Sequence, residues 1–159
     1  MDNGSLRVLL VEENEEAAML LRADLDDDDA PVRMAWRSAG TLKEAIAGLH
    51  DADVVLLALD LPDSHGLDTL RAVRSASPET PVVVLESRIE LEAAVQALRA
   101  GAQDVLLREG EDVDGMARRL RFAVERERAQ HRLAPLVARA GEGRGETREG
   151  GEGVIAQRN

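Results

Sequence analysis

The sequence predicts an α/β domain built on a parallel sheet whose two faces are covered by helices. Five short runs rich in Val and Leu alternate with segments whose apolar residues recur at helical spacing. Most of these runs are continuously apolar, which is typical of strands buried on both faces, and strictly alternating strands and helices favour parallel pairing. The predicted strands are residues 6–11, 32–36, 54–58, 81–85 and 104–107.

Capping residues place the first two helices. Asn14 is suited to cap the first helix, which carries Ala17, Ala18, Leu21 and Leu25 inward and ends at the acidic run 26–29 before Pro31. Four adjacent carboxylates are most simply a solvated turn. Thr41 is suited to cap the second helix, whose inner face we expect to contain Leu42, Ala45, Ile46 and Leu49.

Glycine and proline delimit the later helices. The third helix is predicted over residues 66–76 and the fourth over 90–100, where Gly101 follows as a C-terminal cap. The last helix is predicted from residue 112 to 134, because Pro135 cannot continue it. Residues 125–132 are almost all charged, so we expect the end of this helix to project into water or to meet a partner.

Composition excludes several classes of protein. The chain has 159 residues and a formal net charge of -11, which argues against direct binding to nucleic acid. It has no Cys, so thiolate metal sites and disulfides are excluded. No apolar run approaches the roughly 20 residues of a membrane span. The short, polar start offers no signal peptide. We therefore expect a soluble, cytoplasmic protein.

The predicted organisation is one domain over residues 1–134, with an extended last helix, followed by a disordered tail rich in Gly, Glu and Arg over 135–159. Within that tail, residues 141–153 are Gly, Glu and Arg, which bury too little apolar surface to fold, so we expect disorder. Whether the chain acts alone or belongs to a larger protein stays open.

Polar residues cluster where the predicted strands end. Glu12 and Glu13 follow the first strand, and Ala58 ends the third. Glu86 and Arg108 directly follow the fourth and fifth strands. Ligands of open α/β sheets bind at this carboxyl edge, so these positions are the predicted functional site.

Several segments together resemble the receiver domains of bacterial response regulators. The run 53–66, a buried strand followed by a loop with Pro62 and Gly66, is similar to the family's phosphoacceptor strand and loop. Glu12–Glu13 is similar to its acidic metal-binding pair, and residues 81–85 and 97–104 match its fourth strand and the turn before its fifth. The resemblance covers about residues 6–133 and implies a flavodoxin-like, doubly wound sheet of five parallel strands in the order 2-1-3-4-5.

The residues that carry the family's chemistry are replaced. The phosphoacceptor Asp position is Ala58, whose methyl group can neither attack a phosphoryl group nor hold a metal ion. The Thr or Ser position is Glu86, the Lys position is Arg108, and the aromatic switch position is Val105. Four departures favour natural degeneration over a single engineered inactivating change.

Metal binding is expected to be weak or lost. Glu12 and Glu13, the candidate ligands, are each one methylene longer than Asp, and Ala58 removes a further oxygen ligand. Asp60 lies two residues after the acceptor position, but the resemblance places its side chain away from the metal. We expect no bound cofactor.

These features favour a degenerate receiver, a pseudo-receiver of two-component phosphorelay signalling, which is not an enzyme and acts through protein–protein interaction. The resemblance places the partner surface on the fourth helix, fifth strand and fifth helix. No nucleic acid or membrane partner is expected, and a weak homodimer stays open. Alternatives are a conventional phosphoaccepting receiver whose acceptor is displaced or engineered out, and a module that binds a small ligand. We further expect Glu86 and Arg108 to form an ion pair across the neighbouring fourth and fifth strands.

Overall fold

A computed structural model describes residues 4–26, 29–88, 90–109 and 112–133. The strands are β1 (Ser5–Val11), β2 (Arg33–Ala39), β3 (Val54–Ala58), β4 (Val82–Glu86) and β5 (Asp104–Leu107). The helices are α1 (Glu15–Leu25), α2 (Leu42–Gly48), α3 (Leu67–Ala76), α4 (Leu91–Arg99) and α5 (residues 113–133), and a short 3₁₀ turn, Leu49–Asp51, follows α2.

The five strands form one parallel sheet in the order β2-β1-β3-β4-β5. This is the flavodoxin-like topology that the resemblance to receiver domains implies. The pairing register brings the strand ends level with one another. Val11 of β1 lies opposite Leu57 of β3, Ala58 lies opposite Leu85 of β4, and Glu86 lies opposite Leu107 of β5. The residues that follow these strands therefore meet at a single edge.

Alternating side chains send each strand's apolar residues into two aliphatic cores. In β1, Leu6, Val8 and Leu10 pack in the core that also contains the buried residues of α1 and α5. Leu9 and Val11 point to the opposite face and pack with buried residues of α2, α3 and α4. All five residues of β3 are buried, because this central strand is covered on both faces. The cores hold the carboxyl edge in a fixed geometry.

The predicted helix caps are confirmed. Asn14 accepts a hydrogen bond from the backbone N–H of Ala17 at 2.9 Å, and Thr41 accepts one from the N–H of Glu44 at 3.1 Å. Gly101, just after α4, has a φ of 114°, a conformation that residues with a Cβ rarely adopt.

Two expectations are corrected by the structure, and a third concerns residues outside the described part of the chain. β2 covers residues 33–39 rather than 32–36, because all seven of its residues pair with β1. Ile46, expected on the inner face of α2, is exposed, since this short helix buries only Ala45 and Gly48. The predicted tail over 135–159 lies outside the described residues, and a compact unit ends at Glu127 within α5. Among the helices described, none is long and apolar enough to cross a membrane.

Candidate functional site at the carboxyl edge of the sheet

The structure brings four of the predicted site residues to the same edge. Glu12 follows β1, Ala58 ends β3, Glu86 ends β4 and Arg108 follows β5. The backbone N–H of Arg108 donates to the carbonyl oxygen of Glu86 at 2.7 Å, which continues the pairing of β4 and β5 past its last ladder residues. The backbone pairing of β4 and β5 thus extends to Arg108.

Ala58 lies in the middle of this edge and is 4% exposed. It is held in register with Leu85 on one side, and its neighbour Leu57 is paired with Val11 on the other. The backbone therefore has the position of an acceptor strand, while the side chain carries neither a nucleophile nor an oxygen ligand.

Glu12 is bonded through both of its carboxylate oxygens. Its Oε1 forms an ion pair with Nη1 of Arg108, and its Oε2 accepts a hydrogen bond from the backbone N–H of Asn14 at 3.0 Å. The Glu12 side chain is 10% exposed and that of Arg108 is 24% exposed. Both carboxylate oxygens are thus occupied by donors of the chain itself.

The expected ion pair between Glu86 and Arg108 is wrong, because the guanidinium contacts Glu12 instead. A nearly buried carboxylate without a cationic partner is costly, and the Glu12 side chain is only 10% exposed. Glu86 is half-buried. Burial raises its pKa, the charge of Asp60 raises it further, and the charge of Arg108 opposes both effects without cancelling them.

Glu13 and Asp60 lie outside the cluster of buried groups. Glu13 is exposed and lines, with Glu12, an open cavity of about 540 Å³ near the starts of α1 and α2. The Asp60 side chain is 83% exposed. Its Oδ1 accepts a hydrogen bond from the N–H of Gly66 at 3.3 Å and lies 3.7 Å from Nδ1 of His65. The side chain of Asp60 is therefore engaged with its own loop.

Internal hydrogen bonds fix the loop between β3 and α3. The buried hydroxyl of Thr69 donates to the carbonyl oxygen of Leu59 at 2.8 Å and lies 2.7 Å from Oγ of Ser64. Leu61 and Ser64 form an antiparallel bridge across the turn. The loop conformation is thus held by the chain itself and needs no ligand to define it.

Asp63 ties this loop to the start of α2. Its two carboxylate oxygens accept hydrogen bonds from the N–H groups of Leu42 at 2.8 Å and Lys43 at 3.1 Å. The hydrogen bond from Leu42 is the main cause that lowers the pKa of Asp63, since it stabilises the ionised carboxylate. This contact was not foreseen, because nothing in the spacing of residues 42 and 63 signals it.

The groups at the edge do not fit a magnesium ion. Magnesium needs near-octahedral oxygen ligands. Ala58 supplies none, both oxygens of Glu12 are already bonded, and the guanidinium of Arg108 places a positive charge beside them. In the part of the chain that the structure describes, no group of three His, Cys, Asp or Glu side chains is arranged to hold a metal.

A cavity of about 250 Å³ separates α4 from the ends of β4 and β5. Its lining consists mainly of small apolar side chains with charged groups beside them: Val84, Glu86, Arg88, Glu90, Ala93, Ala94, Ala97 and Val105. Val105 is buried, and its carbonyl oxygen accepts a hydrogen bond from Nη2 of Arg119 at 3.3 Å. Arg119 also forms an ion pair with Asp104 at 2.8 Å, so α5 is fastened to β5 beside this cavity.

The family model of the response regulator receiver domain matches residues 8–118. This chain belongs to the response regulator receiver family. The matched residues include the whole carboxyl edge and all five strands apart from the first residues of β1. It is therefore a receiver domain of two-component signal transduction.

Relatives with the same domain are longer proteins. The chain is 37% identical over 101 residues to the regulatory protein LuxO of Vibrio cholerae, a match that covers 62% of this chain and 21% of LuxO. It is 36% identical over 130 residues to the transcriptional regulatory protein KdpE of Mycobacterium tuberculosis, covering 82% of this chain and 56% of KdpE. The chain thus spans about one fifth of LuxO and just over half of KdpE.

Solved structures agree with the fold. The receiver domain of a putative LuxO repressor protein from Vibrio parahaemolyticus superimposes with a TM-score of 0.66 at 24% identity, covering 81% of this chain and 97% of that one. NtrX from Brucella abortus gives a TM-score of 0.68 at 25% identity, covering 83% of this chain and 30% of NtrX.

Proposed function

We propose that this receiver domain is a pseudo-receiver: it is not phosphorylated, it is not an enzyme, and it signals by binding a protein partner in one fixed state. The observation that carries the proposal is Ala58, buried at the end of β3 where the acceptor carboxylate is required. No rotamer of an alanine can supply the missing nucleophile. The ion pair between Arg108 and Glu12 at the same edge supports a fixed state.

A phosphoaccepting alternative needs another carboxylate at the same place. Asp60 is the nearest Asp in sequence, but its side chain is 83% exposed and bonded within its loop. Glu86 is closer to the edge, and the raised pKa caused by its burial makes it a carboxylate that resists carrying charge. A phosphoryl group beside it would add like charge to that environment.

The proposed partner surface consists of α4, β5 and the part of α5 before residue 128. Leu91 on α4 is 81% exposed, and Leu98 on α4 and Phe122 on α5 are also exposed. Arg119, one helical turn before Phe122, bonds to Asp104 of β5. Arg126, one turn after Phe122, bonds to Gln103, which directly precedes β5. A surface with three large exposed apolar side chains on a braced framework is suited to a protein partner.

Incubation with acetyl phosphate and magnesium, followed by intact-mass measurement, tests the proposal. A conventional receiver treated in parallel serves as the positive control. We expect no adduct on this chain under conditions that fully label the control. A stoichiometric, hydroxylamine-labile phosphate adduct would reject the proposal, and peptide mapping would then identify whether Asp60, Glu86 or another carboxylate accepted it.

A further inference from the structure

We propose that Arg108 is a built-in cation that takes the place of a divalent metal ion at Glu12. The charge of the carboxyl edge is then balanced within the chain, and the edge does not depend on metal. This inference rests on the proposed function, since it names what holds that site in a single state.

The position of the ion pair in the sheet is the first argument. Glu12 follows β1 and Arg108 follows β5, and in the strand order two strands, β3 and β4, lie between them. Adjacent strands are about 4.8 Å apart, so the two backbones are separated by roughly 14 Å. The ion pair therefore spans the ends of β3 and β4, where a metal ion bound between these carboxyl-terminal residues would lie.

The side chain at position 58 makes this crossing feasible. Ala58 ends β3, one of the two strands that the ion pair spans, and its side chain is a methyl group. A carboxylate at the same position would be closer to β5 than Glu12 is, and would compete for the guanidinium. The replacement of the acceptor and the contact of Arg108 with Glu12 are thus physically linked.

Electrostatics give the second argument. The Glu12 carboxylate is nearly buried, and its ionised form requires a compensating positive charge. Arg108 supplies that charge, and the N–H of Asn14 satisfies the other oxygen. A metal ion entering the site would displace the guanidinium and then stand beside an unpaired, partly buried cation. Metal binding is therefore opposed both by occupied ligands and by like charge.

The chemistry of the arginine side chain gives the third argument. A guanidinium stays charged at all physiological pH values and presents several N–H donors in a planar fork that matches a carboxylate. The Arg108 backbone is itself anchored by its hydrogen bond to Glu86, so the start of its side chain is fixed. Arg108 thus resembles a permanently bound cation more closely than a flexible surface charge.

Magnesium-dependent thermal stability tests this inference without any phosphodonor. The variants are Arg108→Gln, the double variant with Glu12→Gln, and Arg88→Gln as a matched control, because Arg88 pairs with Glu90 on the surface. We expect millimolar magnesium to leave the melting temperatures of the wild type and the control unchanged. Loss of this partly buried cation leaves the nearly buried Glu12 carboxylate without a partner, which should lower the melting temperature of Arg108→Gln by roughly 10 °C.

The metal response then separates the interpretations. Magnesium should restore about 5 °C or more to Arg108→Gln, since Glu12 loses the guanidinium and can bind the ion beside the exposed Glu13, and it should restore nothing to the double variant. If Arg108→Gln is too unstable to purify, a measurement on the wild type takes the place of its melting curve: the broadening of amide NMR signals by Mn²⁺. We then expect no saturable broadening of the amides of residues 12–14.

Any of three results would overturn the inference. Magnesium could stabilise the wild type as much as it stabilises Arg108→Gln, or the Arg108→Gln variant could be as stable as the wild type and unaffected by metal. The third result is saturable broadening by Mn²⁺ of the wild-type amides of residues 12–14. These outcomes leave the proposed function intact, because a domain that binds metal still lacks an acceptor at Ala58. A phosphate adduct would instead reject the proposed function, and the two failures are distinguishable.

Discussion

Replacing Ala58 by Asp should destabilise the domain rather than simply repair it. A carboxylate at this buried position would join Glu12 and Glu86 at the strand ends, where Arg108 carries the opposing positive charge. Unit charges about 6 Å apart, in an effective dielectric constant of about 20, interact by about 3 kcal/mol per pair. Two repulsive pairs and one attractive pair leave a net cost of about 3 kcal/mol.

Protonation sets an upper limit on that cost. Keeping an Asp neutral at pH 7 requires about 4 kcal/mol, because its ordinary pKa is about 3.9 and each pKa unit corresponds to about 1.4 kcal/mol. The new carboxyl group should therefore stay largely ionised at pH 7, with a raised pKa in the folded state. An acid with a raised pKa holds its proton more tightly in the folded protein. The loss of stability caused by Ala58→Asp should therefore become smaller as the pH falls from about 6 to about 4.

Urea unfolding of Ala58→Asp, with Ala58→Asn as the control of equal size, measures this effect. We expect the Asp variant to be less stable than the Asn variant by about 3 kcal/mol at pH 7, and the gap to narrow at pH 5. Magnesium should reduce the difference in stability between the Asp and Asn variants further only when Arg108 is also replaced. Equal stability of the two variants at pH 7 would refute the electrostatic reasoning, and a gap that widens at pH 5 would reverse its sign.

Three further predictions concern single side chains. Because burial raises the pKa of Glu86, the stability that its protonated form provides is lost as the pH rises through that pKa. Glu86→Gln should therefore be more stable than the wild type above that pKa and equally stable near pH 4. Urea unfolding at a series of pH values measures this difference. Thr69→Val removes the donor to Leu59 and should cost about 1–3 kcal/mol in the same assay. Arg119→Ala, which frees Asp104, should cost about 1 kcal/mol and increase amide hydrogen exchange in β5, whereas unchanged exchange would mean that the ion pair does not brace the strand.

Local patterns in the sequence determine much of the fold. β3 and β5 have the bounds expected from their Val and Leu runs, and Asn14 and Thr41 cap the helices expected of them, because each signal depends only on neighbouring residues. The end of β2 was missed because Arg37 and Ser38 are polar. In an edge strand such residues face solvent while the backbone still pairs.

The site was less predictable, because its contacts depend on how side chains from several strands pack together. The order of the strands brings Glu12, Glu86 and Arg108 to one edge, but it does not decide which carboxylate receives the guanidinium. Glu86 is the closer residue by strand order, and Glu12 receives the ion pair. Both carboxylates are partly buried, so the pairing depends on how the side chains pack around Ala58, which the strand order alone does not give.

A pseudo-receiver has a partner surface with one state, which phosphoryl chemistry does not change. Amide chemical shifts of α4 and β5, recorded before and after addition of beryllofluoride and magnesium, test it most directly. We predict superimposable spectra for residues 91–107, with a conventional receiver showing shifts under the same conditions. Shifts along α4 and β5 that saturate with beryllofluoride would contradict the account, since they would require both an acceptor and an intact switch.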